Sequence, residues 1–371
     1  MTNTYTPVTI ESLGELDANW VVAPGEIIKE MLEERGWSQG DLANRLALST
    51  KHVSLLLNGH ERISQETALR LERVLGSKMQ FWLNLESQYR EILAQRESLE
   101  LLKAEAAWLK EVPVNEMIRL GYVAKATDKA RQVLLCLRFY GVASVAAWRT
   151  SCLTPVAAFR GSGTKGNDAA SIAAWLRYGE MQALEASCAV FDAAKLRHAV
   201  VEARSLMTNA NVQQLLARLR LLLSGCGVAL VIAPPLKGCK LSGAAKRLKT
   251  DKALIMLSLR GKSDDRFWFT LFHEAAHLVL HSAKLTFIDQ IGSGSTDEKE
   301  EAEADQFARD LMLPAKPYAS FCEQGPFTET RLRAFAKSQG VPPSIVVGRL
   351  QWDQRIPFSR FNHLKFTCDF A

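Results

Sequence analysis

The segment Phe267–His281, FWFTLFHEAAHLVLH, constrains this chain more than any other stretch. Apolar residues run through nearly all of it, so it reads as a helix buried on most sides. It nevertheless carries three histidines and a glutamate, and buried imidazoles and carboxylates need partners. The order HEAAH accounts for His273, Glu274 and His277 together. Histidines at i and i+4 share one helix face and can both reach one metal ion. Glu274, next to the first of them, can take a proton from water activated at that ion. A core in which these groups merely satisfy one another is a strained alternative.

Three protein ligands and one open position are what such a centre requires. His281 lies eight residues after His273, about 12 Å along a helix axis, so it reads as an orienting or packing residue. A carboxylate in EKEEAEADQFARDLMLP, residues 298–314, is the better third ligand. An apolar face through Ala304, Phe307, Ala308 and Leu311 leaves Glu300 and Glu303 near it. Glu298 and Glu301 read as a solvated charge run.

Residues 24–95 follow a different rhythm. Pro24 suits a first helical turn, and Gly36 stops that helix. Ser38 caps a second helix with Asp41 three residues on, Ser49 a third, and Ser64 a fourth. Asn58-Gly59 and Gly76 end the last two, and a longer helix begins near Lys78. Helices of this length, in this order, suit a helix-turn-helix. Gln39 opens its first helix, Ala43 is the small crossing residue, and Leu46, Val53 and Leu56 form the apolar clamp. Ser49, Thr50, Lys51, His52 and Ser54 are then the candidates for base and phosphate contacts.

Two resemblances attach to these segments. PGEI, SQGDLANRL, LLNG, ISQETALRLERVLG and FWLNL occur in order, and residues 24–86 resemble a lambda-repressor-like (XRE) domain in its HigA antitoxin form. RFWFTLFHEAAHLVLH followed by EAEADQFARDLMLP resembles the ImmA/IrrE zinc endopeptidases. That likeness extends back to about residue 225 through GVALVIAPPL, LSGAAKRL and ALIMLSLRGKSDD. It implies one Zn²⁺ per chain, held by His273, His277 and the glutamate before the ADQFA piece, Glu303, with Glu300 as the fallback. The family's glycine in HExGH is Ala276 here, another small residue.

The expected fold is mainly α, with a lambda-repressor-like helical N-terminal domain, a helical middle and a small α+β, zincin-like domain. The expected division is a leader 1–22, a DNA-binding domain 23–95, a helical connection 96–224, a peptidase domain 225–315 and a helical region 316–371. Val228–Ala233 and residues 253–259 read as strands. The second of these, just before the HEAAH helix, is expected to offer its edge to an extended substrate. The stretch 161–168, GSGTKGND, reads as a surface loop without the GK[ST] of a phosphate loop.

Charge narrows the partners. The formal net charge is +6. Residues 1–95 carry 9 Lys+Arg against 13 Asp+Glu, residues 96–250 carry 22 against 11, and residues 251–371 carry 15 against 16. DNA binding therefore rests on the helix pattern, and the basic middle reads as solvated surface. Seven scattered cysteines without a CxxC pair read as reduced thiols. No apolar run suggests a membrane span and the N-terminus does not read as a signal peptide, so a cytoplasmic protein is expected. The resemblances imply operator DNA, a homodimer and a cleaved partner. The substrate stays open between a repressor, a toxin and the chain itself. A HigA-like antitoxin whose peptidase fold only binds its partner is the second reading.

Overall fold

The computed structural model of the 371-residue chain describes residues 22–154, 166–209, 211–248, 251–258, 263–281 and 296–367. The expected leader, the glycine-rich part of 161–168 and most of the turn before the HEAAH helix lie outside them. The chain divides into two compact units, one of residues 8–107 with 124–135, the other of 108–123 with 136–371.

In the first unit the helices start and stop where the local chemistry dictates. Helix α1 is Pro24–Arg35, ended by Gly36 in the left-handed region. Helix α2, Gln39–Leu46, begins with a reciprocal cap: the Ser38 hydroxyl accepts from the Asp41 amide and the Asp41 carboxylate accepts from the Ser38 amide. Helix α3, Thr50–Leu57, is capped by Ser49, and α4, Gln65–Leu75, by Ser64. Helix α5 runs Met79–Ala104. The α2–α3 turn forces Ala47 to φ 52°, and Arg70 holds it there by donating to the carbonyls of Leu46 (2.8 Å) and Ala47 (2.9 Å). The core is Ile28, Leu42, Ala43, Leu46, Val53, Leu56, Leu71 and Trp82 with their neighbours.

The helices that follow the first five are α6 Val114–Arg119, α7 Lys129–Tyr140, whose residues to Leu135 belong to the first unit, α8 Val145–Trp148, α9 Gly166–Glu185, α10 Ala193–Ser205 and α11 Val212–Ser224, and the second unit is built on one three-stranded sheet. The sheet strands are β1 Val228–Ile232, β2 Gly243–Arg247 and β3 Ala253–Leu257. Their order is β1-β3-β2, with β1 parallel and β2 antiparallel to β3. The expected substrate edge is thereby corrected. Strand β3 is central and both its sides are paired, so 253–257 cannot accept another strand. All five of its side chains are buried, as a strand covered on both faces requires.

Helix α12, Asp264–Leu280, lies against β2 and β3. It is followed by α13 Thr296–Met312, α14 Ala315–Glu323, α15 Glu329–Gln339 and α16 Pro343–Trp352. Phe272, Ala275 and Leu278 of α12 share one core with Leu219 of α11, Ala308 of α13, Leu332 of α15, and Val347 and Leu350 of α16. The segment expected to be a separate C-terminal region is thus part of the core behind the HEAAH helix. Arg204 fastens the same core by donating to the carbonyls of Leu311 (2.7 Å) and Gln339 (2.7 Å).

Six cysteines lie among the described residues, each buried or half-buried. The stretch Lys129–Leu153 is long and apolar enough to cross a membrane by composition, with 44% of it buried in the fold. Its helices α7 and α8 are separate, because the chain turns between Gly141 and Ser144, which caps α8.

Candidate functional site

His273 and His277 stand one turn apart on α12 and meet one side of α13. Their Nε2 atoms lie 3.1 Å from each other. Glu301 reaches both: one oxygen is 3.1 Å from His273 Nε2 and the other 3.3 Å from His277 Nε2. The donor atoms of these three residues fall within 4.8 Å of one another. His273 Nδ1 donates to Asp305 (3.0 Å), and Arg309 holds Asp305 in turn. That bond fixes the ring with Nε2 facing His277 and Glu301, as a carboxylate behind a ligating imidazole does.

The carboxylate that joins the two histidines is therefore Glu301, which corrects the expectation of Glu303. At about 100° per residue, the buried stripe Ala304, Ala308 and Met312 of α13 is centred some 20° from Glu301. Glu303 points about 140° away from it. Its carboxylate lies 3.7 Å from Lys299 and 4.0 Å from His281 Nδ1. The fallback Glu300 contributes its carbonyl to His281 Nε2 (3.2 Å). His281 is thus the buried pin between α12 and α13 that its spacing suggested. Asp305 escaped the sequence reading, although it sits one turn after Glu301 on the same face.

Glu274 is buried, and its Oε2 has no hydrogen-bond partner among the described residues. Burial lifts its carboxyl to about 7, against the opposing charges of His273 and His277. Burial works the other way on His273. Hydrogen bonds to Asp305 and Glu301, with the charges of Glu274 and Glu301, outweigh it and hold the ring at about 10. Glu301 also suffers from burial, but its bonds to both rings keep it well below the usual carboxylate range. These donors compete for one positive charge. A proton on His273 supplies it in part, and a divalent cation would supply it to all three. The orphan Glu274 oxygen fits the same picture, since it is buried beside the two rings with no hydrogen-bond partner among the described residues. The residues present fit a zinc ion.

The group opens into a cavity of about 1050 Å³ lined also by Gly243, Phe269, Arg349 and Trp352. Strand β2, the sheet's edge on that side, comes so close that a Cβ at Gly243 would lie 2.7 Å from Glu274 Oε1. Only glycine leaves the glutamate its place. The basic residues at the end of β2 are engaged elsewhere: Lys246 pairs with Glu180 (2.8 Å) and Arg247 lies over the Phe191 ring.

In the first unit Gln39, Ser49, Thr50 and Lys51 are exposed, as base and phosphate contacts must be. The Ser49 hydroxyl is occupied as the α3 cap, accepting from the His52 amide (3.1 Å). His52 is half-buried, and its Nε2 is buried without a partner among the described residues. Ser54 is also half-buried. The exposed face of α3 is therefore carried by Thr50 and Lys51 rather than by all five expected residues.

Two family models match the chain. Residues 28–82 match one described as helix-turn-helix, and residues 236–351 one described as an IrrE N-terminal-like domain of the M78 peptidases. The second match runs through α16. An uncharacterised HTH-type transcriptional regulator of Escherichia coli strain K12, YddM, is 36% identical over 66 residues, 18% of this chain and 70% of that protein. The chain belongs to the helix-turn-helix regulators. It joins to that domain a second one of the IrrE-type peptidase family. Virulence-associated protein I of Dichelobacter nodosus is 36% identical over 69 residues, 18% of this chain and 64% of that protein. A solved addiction module antidote protein of the HigA family from Coxiella burnetii is 36% identical, covers 23% of this chain and 92% of its own, and superposes with a TM-score of 0.21.

Proposed function

We propose that this regulator is a zinc-dependent endopeptidase that binds operator DNA through α2 and α3 and cleaves a protein partner. The single observation that carries the peptidase reading is the convergence of His273, His277 and Glu301 beside a buried Glu274 whose outer oxygen is unpartnered. Zinc held by the first three would supply a Lewis acid for a peptide carbonyl and lower the pKa of water at its open position.

The chain's own residues do the rest. Asp305 keeps His273 in the tautomer that presents Nε2. Glu274, with a carboxyl near 7, accepts the proton of the attacking water and returns it to the leaving nitrogen. Strand β2, from Gly243 onward, offers the edge that β3 cannot, and an extended substrate adds to it as a further strand. The peptidase domain in this reading includes α14–α16. DNA reading by one recognition helix per chain goes with a homodimer on two half-sites, and with work in the cytoplasm where the operator is.

Glu274→Gln tests the reading. It keeps the ligand set, so zinc content should stay at one per chain while cleavage of partner protein falls by at least ~100-fold, the lower range for a general base. Mass spectrometry of partner digests measures it. Cleavage by the variant at the wild-type rate would falsify the role of Glu274. Cleavage by neither protein, with zinc bound, would favour the antitoxin that only holds its partner.

A further inference from the structure

Three aromatic rings that the chemistry above leaves unused stand in the same cavity as His273 and Glu274: Phe269, Trp352 and Phe358. Trp352 is 60% exposed and Phe358 61%. Large apolar side chains left to water beside a catalytic group mark a place where something apolar binds. Phe269 joins the rings to the centre, 5.9 Å from the His273 ring and 6.5 Å from the Trp352 ring between centroids.

The shelf is held in place. Gln351, buried in α16, donates to the carbonyls of Phe358 (3.2 Å) and Arg360 (2.9 Å) and to the Asn362 side chain (3.0 Å). Asn362 in turn donates to the Phe358 carbonyl (2.9 Å). A pre-ordered apolar surface loses little entropy when it binds. Trp352 and Phe358 also lie beyond residue 351, where the match to the peptidase family ends.

Charge says what else the occupant carries. Arg266, Phe269 and His273 follow one another at i, i+3 and i+7, so they line one face of α12. Arg266 is about 10 Å from His273 along the axis. It is exposed and has no ion-pair partner among the described residues. The neighbouring cations Arg309, Arg349 and Lys365 are each engaged by an aspartate, Asp305, Asp353 and Asp265.

We infer that the cleft selects an extended peptide segment whose large apolar side chain lies on Phe269, Trp352 and Phe358 beside the scissile bond, and whose acidic side chain meets Arg266 further out. The selection rests on the peptidase reading for its chemistry, though not for its binding.

The test uses the full-length, zinc-loaded protein and fluorogenic peptides that differ only in Leu or Ala at the apolar position and Glu or Lys at the acidic one. Binding of the same peptides to the Glu274→Gln protein is followed by fluorescence anisotropy. The Leu peptide should be preferred over the Ala peptide by about tenfold in kcat/KM and in affinity, as a partly buried side chain gives. Trp352→Ala should bring that ratio near one, and Trp352→Phe, which keeps a ring, should restore most of it. Arg266→Glu should invert the Glu-over-Lys preference. Unchanged ratios in Trp352→Ala and Arg266→Glu overturn the inference, as does a failure of every peptide both to bind and to be cut. Selective binding without cleavage by the wild type upholds the shelf and sinks the peptidase instead.

Discussion

Glu301 and Glu303 stand two residues apart on α13, about 200° around the helix, so only one of them can face α12. The burial of Ala304, Ala308 and Met312 decides for Glu301. Glu301→Gln should weaken zinc binding by more than ~100-fold, beyond the effect of losing a group that merely orients a ligand. Asp305→Asn removes such an orienting group and should cost roughly 10–100-fold. Glu303→Gln breaks an exposed pair with Lys299, worth ~0–1 kcal/mol, and a 4.0 Å contact with His281, neither of them on His273 or His277, and should leave affinity almost unchanged. Competition with a chromophoric chelator ranks the three. A Glu303 variant that loses zinc while Glu301→Gln keeps it would reverse the assignment. The HEAAH triplet itself was legible, because i, i+4 spacing is local. The third ligand was not: an apolar face through Phe307 and Leu311 and one through Ala308 and Met312 differ by about 100° of rotation of α13, and the rotation is set by what α12 presents to it.

At the scale of elements, the caps of α2, α3 and α4 follow from their own sequences, since each serine bonds an amide three residues on. Strand β2 does not, because GAAKR has neither β-branched residues nor alternation. Its place at the edge and that of β3 at the centre depend on pairings between distant segments, which a run of apolar residues cannot show. Close approach is the other thing hidden from local reading. Helix α1 crosses α3 at Gly25, where a Cβ would sit 2.1 Å from the Leu57 carbonyl oxygen. Gly25→Ala must push the two helices apart. The overpacking should cost about 1–3 kcal/mol, and each 1 kcal/mol lowers the melting temperature of a domain this size by about 4–8 °C. Differential scanning calorimetry of the full chain should show that loss in the transition of the DNA-binding unit, with zinc content untouched. An unshifted transition would mean that α1 is not held against α3 at this point.

Across the whole molecule the charge is divided against the expected partner: residues 1–95, which hold the helix-turn-helix, are net negative and the middle is strongly basic. Several of those cations are engaged inside the second unit. Arg177 and Lys246 share Glu180, Arg119 pairs with Glu116 and Arg149 with Glu111. Arg204 spends its donors on backbone carbonyls. Lys195, Arg197, Arg218 and Arg220 are left exposed on α10 and α11. If those four touched phosphate, neutralising them would flatten the slope of log affinity against log salt by roughly 0.9 each, some three to four in all. If binding is local to α2 and α3, the slope should move by less than about one. Thr50→Glu with Lys51→Glu should meanwhile lower operator affinity about tenfold or more, because two negative charges would then face the backbone and bases. Titrating operator DNA with both variants over a range of salt concentrations separates the two cases. A slope that collapses on neutralising the middle, with the Thr50 and Lys51 variant still binding, would move the DNA interface off α3 and onto the second unit.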